Sequence, residues 1–393
     1  MEGNIKKNLN EYDPDINTLF FSQTPSKYYT LENLPNLFKH NFDNNLSILQ
    51  LNARSLLHKI NDLNCLINDI NNLKIISISE TWLNDECSTL VNLENYNFVS
   101  CNRENKIGGG CGIFLNKDIK FTVRHDLCPK NETFDWLAVE IENISGLNKK
   151  MIVYSIYRPP NTDINFFIQQ LSSSLNKIRQ QQNFKIYITG DFNIDLLKDD
   201  VHKTKYTFQN LMQSFSFLPL INSPTRITKS TSTLIDNIFS NCFSDHLSGI
   251  IYSDISDHLP IFAISNNVSF EEKKNPYPCL IRNTNDKNLK KLNTYLEKTD
   301  WSRLGLINDL NVCTNSFVQI FKEALDVTCP FRKLRPIRIK NPWLTKGLLK
   351  SFSVKSKLYK LFLKNPNDIN YLSYKNYRNK LSKLIKISEK NTI

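Results

Sequence analysis

Apolar and polar positions along residues 46–264 follow two rhythms, and together they predict a mixed α/β fold. Runs such as Leu46-Ser47-Ile48-Leu49-Gln50-Leu51 and Ile75-Ile76-Ser77-Ile78-Ser79 have the length and texture of buried strands. Between them Leu56, Ile60, Leu63, Ile67 and Ile70 recur at helical spacing and predict an amphipathic helix. Gly108-Gly109-Gly110 opens a strand over 112–115. Residues 136–141 and 151–157 read as an antiparallel pair, and Pro159-Pro160 stops the second strand. A helix is predicted over 164–179 and a strand over 184–189, running into Gly190-Asp191. A helix over 205–217 and short strands over 236–240, 249–252 and 260–264 complete the series. Many strands, few helices and mixed connections suit two packed sheets with helices on their outer faces.

Outside this stretch the texture changes. Residues 1–44 are polar with little periodicity and read as a leader or peripheral arm, so the main domain is expected over 45–268. After Phe270 helical signals dominate. Leu289, Leu292, Tyr295 and Leu296 form one apolar stripe, and Phe317, Ile320, Phe321 and Leu325 form another. The region 269–393 is expected to be a basic, mainly helical extension.

The chain has 393 residues, 40% of them hydrophobic and 11% aromatic, enough to build a substantial core and to exclude a disordered class. Nine cysteines without a CxxC pair argue against structural zinc and against a disulfide framework. The N-terminus has no apolar core of a secretory signal. No run approaches the ~18 apolar residues of a membrane span, so an intracellular location without membrane contact is expected. The net charge of +12 is unevenly spread. Through Phe270, 24 Lys and Arg stand against 28 Asp and Glu; from Glu271 onward the numbers are 26 and 10. That asymmetry predicts a polyanionic partner for the C-terminal third.

The candidate chemistry lies where strands end. Glu80 follows a wholly buried strand and is the leading ligand for a cation. Mg2+, with Mn2+ as the alternative, prefers such oxygen donors and needs only one or two carboxylates. Asp191 and Asn193, two apart, point to one side of an extended segment; Asp191 suits a general base or water-orienting group, and Asn193 a donor to phosphate. His258 suits a phosphate donor whose tautomer a second carboxylate fixes, and Asp236 is the candidate for that carboxylate. Tyr157, at the end of its strand, suits either a hydrogen bond to the phosphate or packing in the core, and Asn52 either positions Glu80 or contacts phosphate. Gly-Asp-x-Asn is also ordinary turn chemistry.

With these residues in order, the chain resembles the endonuclease/exonuclease/phosphatase superfamily, and within it the apurinic-like endonuclease domain of non-LTR (LINE-type) retrotransposons. The strings that carry the resemblance are Leu51-Asn52-Ala53-Arg54-Ser55-Leu56, Ser79-Glu80-Thr81-Trp82-Leu83, Tyr157-Arg158-Pro159-Pro160, Gly190-Asp191-Phe192-Asn193, Ser223-Pro224-Thr225-Arg226, Ser232-Thr233-Leu234-Ile235-Asp236 and Ser256-Asp257-His258-Leu259-Pro260. The resemblance implies a four-layer αββα sandwich. It also implies metal-dependent nicking of DNA that leaves a 3′-hydroxyl, in the nucleus when the target is chromosomal. It puts Glu80, Asn52 and Asp257 at the metal. Asp191, Asn193, Tyr157, His258 and Asp236 fall to the chemistry, and Arg158, Thr225, Arg226 and Lys229 to DNA. Segments 341–345 and 374–380 look like the part that joins the endonuclease to a reverse transcriptase, so a product truncated before the polymerase is expected, with element RNA a further partner of the basic region. Cellular repair members carry an Asp two residues after the Asn, where this chain has Arg54. The alternatives are a phosphatase or phosphodiesterase of the same superfamily and an inactive nucleic-acid-binding relic.

Overall fold

The computed structural model describes residues 25–39, 45–70, 73–103, 108–129, 133–142, 144–145, 150–180, 184–198, 204–242, 246–270, 280–333 and 345–390. Residues 1–24 of the expected leader, the basic run 334–340 and the joining segment 341–344 lie outside the described residues. The chain divides into a unit of residues 1–272 with 343–393 and a second unit of 273–342.

The first sheet contains β1 (Lys27–Tyr29), β2 (Asn45–Asn52), β3 (Ile75–Ser79), β4 (Tyr96–Cys101), β5 (Cys111–Asn116), β14 (His246–Ile251) and β15 (Ile261–Ser269), in the order β1-β14-β15-β2-β3-β5-β4. The second contains β6 (Phe121–Val123), β7 (Asp135–Ile141), β8 (Lys150–Tyr157), β9 (Phe184–Asp191), β10 (Leu218–Pro219) and β13 (Asp236–Ser240), in the order β10-β13-β9-β8-β7-β6. A small hairpin pairs β11 (Arg226–Ile227) with β12 (Ser232–Thr233).

Strands β2, β3 and β5 face β7, β8 and β9 across the interior. Period two divides each strand between two cores. Ile48, Ile75, Ile113 and Leu115 point into the inter-sheet core with Leu137, Val139, Val153 and Tyr187. Leu49, Leu51, Ile76, Ile78 and Phe114 point outward, where Leu34 and Phe38 of α1 (Leu34–Lys39) and Leu63, Leu66 and Ile70 of the α2 (Ile60–Asp69) segment cover them. Beyond a short α3 (Asp85–Ser88), α4 (Ile164–Arg179) and α5 (Thr204–Ser214) cover the second sheet with Phe167, Leu171, Phe208 and Met212. Helix, sheet, sheet, helix is the four-layer αββα sandwich.

Two βαβ units set up the site. β2 and β3 run parallel, joined through α2; β8 and β9 run parallel, joined through α4. Open parallel pairs offer their carboxyl ends to ligands, and both pairs deliver theirs to one edge. The inter-sheet space turns polar toward that edge. Thr189 Oγ1 donates to Ser77 Oγ at 2.6 Å, and Ser77 Oγ donates to Ser155 Oγ at 2.8 Å. Buried hydroxyls that satisfy one another avoid the penalty of unpaired polar groups.

Two boundaries differ from the sequence reading. Residues 27–39 are not leader: β1 pairs in parallel with β14, and α1 closes the outer core. The region 269–393 is not one extension. Its first part forms a small unit with β16 (Leu280–Arg282) paired to β17 (Phe331–Lys333), α6 (Asp286–Glu297) and α7 (Leu310–Thr328), around Leu292, Ala324 and Cys329. Its last part, α8 (Lys346–Lys364) and α9 (Asp368–Lys390), joins the sandwich, and Tyr359, Phe362, Leu363 and Tyr374 are buried in the main core. Among the described residues no helix is long and apolar enough to cross a membrane.

Candidate active site

At the carboxyl edge, β2 ends in Asn52 beside Ser79 of β3, and Glu80 follows at once. β8 ends in Tyr157 beside Asp191, the last residue of β9, and Asp236 opens β13 opposite Asp191. Asp257 and His258 lie just before β15, which pairs with β2. Seven candidates, most of them distant in sequence, thereby share one mouth of the sandwich.

His258 Nδ1 and Asp236 Oδ2 are 2.8 Å apart, and both side chains are buried. Thr225 Oγ1 donates to the same Asp236 oxygen at 2.8 Å. Burial alone would lower the imidazole pKa; the carboxylates of Asp236, Asp191 and Asp257 outweigh it and raise it to about 9. Asp191 is also buried. Its Oδ1 accepts from the Asn193 N–H at 3.0 Å and its Oδ2 from Asn52 Nδ2 at 2.8 Å. Desolvation, with Asp236 nearby, pushes its pKa up to about 7, against the pull of His258 and these donors. A buried carboxylate near neutrality beside a histidine held charged is an acid–base arrangement.

Asn52 ties the two sheets together, since its Nδ2 donates to both Asp191 and Glu80 Oε1, the latter at 2.9 Å. Trp82 Nε1 holds the other Glu80 oxygen at 3.0 Å. Backbone strain gathers here. Arg54, Ser55, Glu80, Trp82 and Asn193 all have φ between 45° and 85°, a region that costs non-glycine residues of order 1–3 kcal/mol each. Gly190 has φ of 149°, and a Cβ there would lie 1.9 Å from the Ile156 carbonyl oxygen. Only glycine lets β8 and β9 approach closely enough to set Asp191 beside Tyr157.

The family model for the endonuclease/exonuclease/phosphatase family matches residues 4–258, well over half of the chain. The chain belongs to this family. Its members are hydrolytic nucleases and phosphatases that typically use divalent metals. No curated protein matches the sequence. Among solved structures, the AP endonuclease LMAP from Leishmania major is similar at 11% identity and a TM-score of 0.50, over 67% of this chain and 100% of that one. The catalytic domain of APE2 from Xenopus laevis is similar at 16% identity and a TM-score of 0.47, over 58% and 94%. The endonuclease domain of TRAS1, a telomere-specific non-LTR retrotransposon, is similar at 16% identity and a TM-score of 0.43, over 58% and 100%.

A divalent cation of the kind the family typically uses needs oxygen donors that are free to bind it. Asp191, Asp236 and His258 offer ligand atoms within 4.8 Å of one another. In that buried trio both Asp191 oxygens accept hydrogen bonds and His258 Nδ1 is committed to Asp236, while Asp236 Oδ1 has no hydrogen-bond partner among the described residues. Glu80 and Asp257 fit a hard cation better. They are oxygen donors at the open mouth, and Asp257 Oδ1 is buried without a hydrogen-bond partner. Arg54 spans them in the structure: its Nη1 lies 2.9 Å from Asp257 Oδ2 and its Nε 4.0 Å from Glu80 Oε2. Burial alone would raise the Asp257 pKa; His258, Arg54 and Arg226 outweigh it and hold the carboxyl below its usual range.

Several sequence assignments change. Arg158, expected at DNA, has no free guanidinium face. It is buried, and its guanidinium donates to the carbonyls of Phe192, Thr162 and Asn193 at 2.7–2.9 Å, which fixes the Asp191–Asn193 turn. Thr225 is buried and serves Asp236 instead of a ligand. Asn52 turns its amide N–H groups to the carboxylates and its Oδ1 to the Arg54 N–H, so it positions Glu80 and is not a metal donor as oriented. Asn193 Nδ2 gives one N–H to the Arg158 carbonyl at 2.8 Å. Arg226 is half-exposed and holds Asp257 at 2.8 Å. Lys229, at the tip of the β11–β12 hairpin, pairs with Asp368 and lies 4.7 Å from the Tyr371 ring. Tyr157 is buried against Glu80, and desolvation raises its pKa. Arg54 and Ser256 were not among the expected site residues. Ser256 Oγ donates to the Asn52 carbonyl at 2.6 Å and accepts from the His258 N–H at 3.0 Å; a serine before Asp-His carries no sequence signal for that role.

Proposed function

We propose that the chain is a metal-dependent endonuclease that nicks DNA to leave a 3′-hydroxyl, in the manner of the target-nicking part of a non-LTR retrotransposon protein. The observation that carries this reading is the meeting of Asn52, Glu80, Asp191, Asp236, Asp257 and His258 at one mouth of a family sandwich, in the sequence strings that resemble those elements. The assigned roles follow from the surroundings of each group. Asp236 holds Nδ1 of His258, which leaves Nε2 as a charged donor for a non-bridging phosphate oxygen. Asp191, near neutrality, takes the proton of the attacking water. Asn52 keeps Asp191 and Glu80 at a fixed separation. Glu80 and Asp257 would hold Mg2+ or Mn2+, which when bound would neutralise charge on the phosphate and stabilise the leaving oxygen.

DNA is favoured over a small phosphate ester by the basic C-terminal third. The test is nicking of supercoiled plasmid with Mg2+, run beside phosphate release from phosphoinositides. Nicking that falls about 10²-fold or more in Asp191→Ala and in His258→Ala supports the reading, a scale expected for a general base or an electrostatic stabiliser. Phosphate release without nicking transfers the assignment to a phosphatase. Unchanged nicking in both variants refutes the site.

A further inference from the structure

We infer that the α8–α9 hairpin is a second jaw of the DNA-binding cleft, gripping the phosphate backbone of the duplex that flanks the cut. The inference rests on the nuclease reading above and extends its surface onto the two C-terminal helices. Between the hairpin and the sandwich runs an open groove of about 700 Å³. It begins at Asp257 and Arg54 of the active-site mouth, passes Lys59 and Lys229, and ends at Tyr371 and Arg378 of α9.

The hairpin is a fixed wall and not a loose tail. Tyr359, Phe362, Leu363 and Tyr374 are buried in the main core. Lys355 Nζ lies 3.0 Å from Asp254 Oδ1, with both side chains largely buried, and the Tyr374 hydroxyl donates to Asp254 Oδ2 at 3.1 Å. A wall anchored this way presents its cations without further ordering cost.

The charge balance selects a polyanion. The two carboxylates that line the groove are both neutralised, Asp254 by Lys355 and Asp257 by Arg54 and Arg226. Lys59 and Arg378 have no ion pair among the described residues; Arg378 donates to the Asn379 side chain and lies 5.6 Å from the Tyr374 ring centroid. α8 carries six lysines and no acidic residue, and α9 carries five lysines and Arg378 against Asp368 and Glu389; of these cations Arg378 lines the groove, and the lysines add to the field around it. The rings select duplex over single strand. Tyr359, Phe362 and Tyr374 are 5–6% exposed, and Lys229 caps Tyr371, so the groove has little free aromatic face on which bases could stack. Contacts to phosphates fix position without reading sequence, so the groove contributes affinity and not target choice.

The test measures anisotropy of a labelled duplex with the full chain in EDTA, across a salt series. Lys59→Ala combined with Arg378→Ala should weaken binding about tenfold and lower the salt slope by about two, at ~0.9 per phosphate contact. Arg378→Lys should keep most of the affinity. Lys383→Ala combined with Lys386→Ala, on the same helix away from the groove, should bind like the parent. Equal losses in the two double variants, or none in the groove variant, overturn the inference; so does tighter binding of a single strand than of duplex. Plasmid nicking separates the two readings. Groove-dependent binding without nicking leaves the jaw standing and removes the nuclease, whereas nicking with groove-independent binding does the reverse.

Discussion

The Asp236–His258 pair is the most exposed point of the proposed chemistry, and Asp236→Asn tests it without reference to activity. In the folded protein His258 is buried and its pKa is raised from 6.5 to about 9. At 1.36 kcal/mol per pKa unit this preference for the imidazolium is worth about 3 kcal/mol, the scale expected when one partner of a buried pair is removed. A histidine raised on folding adds stability that is fully present below pH 6.5 and is lost as pH climbs through about 9. Asparagine keeps the shape and removes the charge. The imidazole then has its burial penalty with only Asp191 and Asp257 to offset it. Urea denaturation of the metal-free protein from pH 5.5 to 10 should show the parent losing its advantage over the variant between those two values. His258→Gln should lose a similar amount, and the double variant should lose clearly less than the sum. Parallel stability curves for parent and Asp236→Asn across that window would refute the argument, because they would mean that His258 folds neutral.

Other consequences follow from single contacts. Removing Arg54 frees the space between Glu80 and Asp257, so Arg54→Ala should bind Mn2+ about two- to fivefold more tightly by calorimetry, the range of a half-exposed ion pair of 0.5–1 kcal/mol; weaker binding would mean that the guanidinium does not compete for those oxygens. Gly190→Ala drives a Cβ into the Ile156 carbonyl and should cost about 3 kcal/mol or more in denaturation, with nicking reduced in whatever fraction still folds; a stability within ~0.5 kcal/mol of the parent would contradict the close approach of β8 and β9. Arg158→Ala leaves the Phe192 and Asn193 carbonyls without their donor, so it should lower stability by about 1–3 kcal/mol and leave the salt slope of DNA binding unchanged, whereas a DNA-contacting arginine would lower that slope. Ending the chain at residue 342 strips the cover from the core around Tyr359, Phe362 and Tyr374 and should lower the melting temperature by several degrees; an unaltered melt would show that α8 and α9 are not part of the sandwich.

The sequence by itself determined the strands, their polar ends and the layer order. Runs buried on both faces have no alternative environment, so Leu46–Leu51 and Ile75–Ile78 read as strands whatever surrounds them, and α4 spans 164–179 as its periodicity requires. It also identified the residue types of a phosphoester site, because Glu80, Asp191, Asp236 and His258 each follow or open such a run. Tertiary structure decided the direction of side chains whose partners are distant in the chain. Arg158 points inward because the Asp191–Asn193 turn turns its carbonyls toward it, and Thr225 because Asp236 is the nearest acceptor; neither neighbour can be read from local pattern. The three residues of β1 are too few for periodicity, and only the open edge of β14 reveals their place. The basic tail looked uniform because charge counts ignore burial, and the split between α6–α7 and α8–α9 rests on which aromatic rings the sandwich core accepts. Local sequence carries what each residue needs from its surroundings; only the closed sheets determine which distant group supplies it.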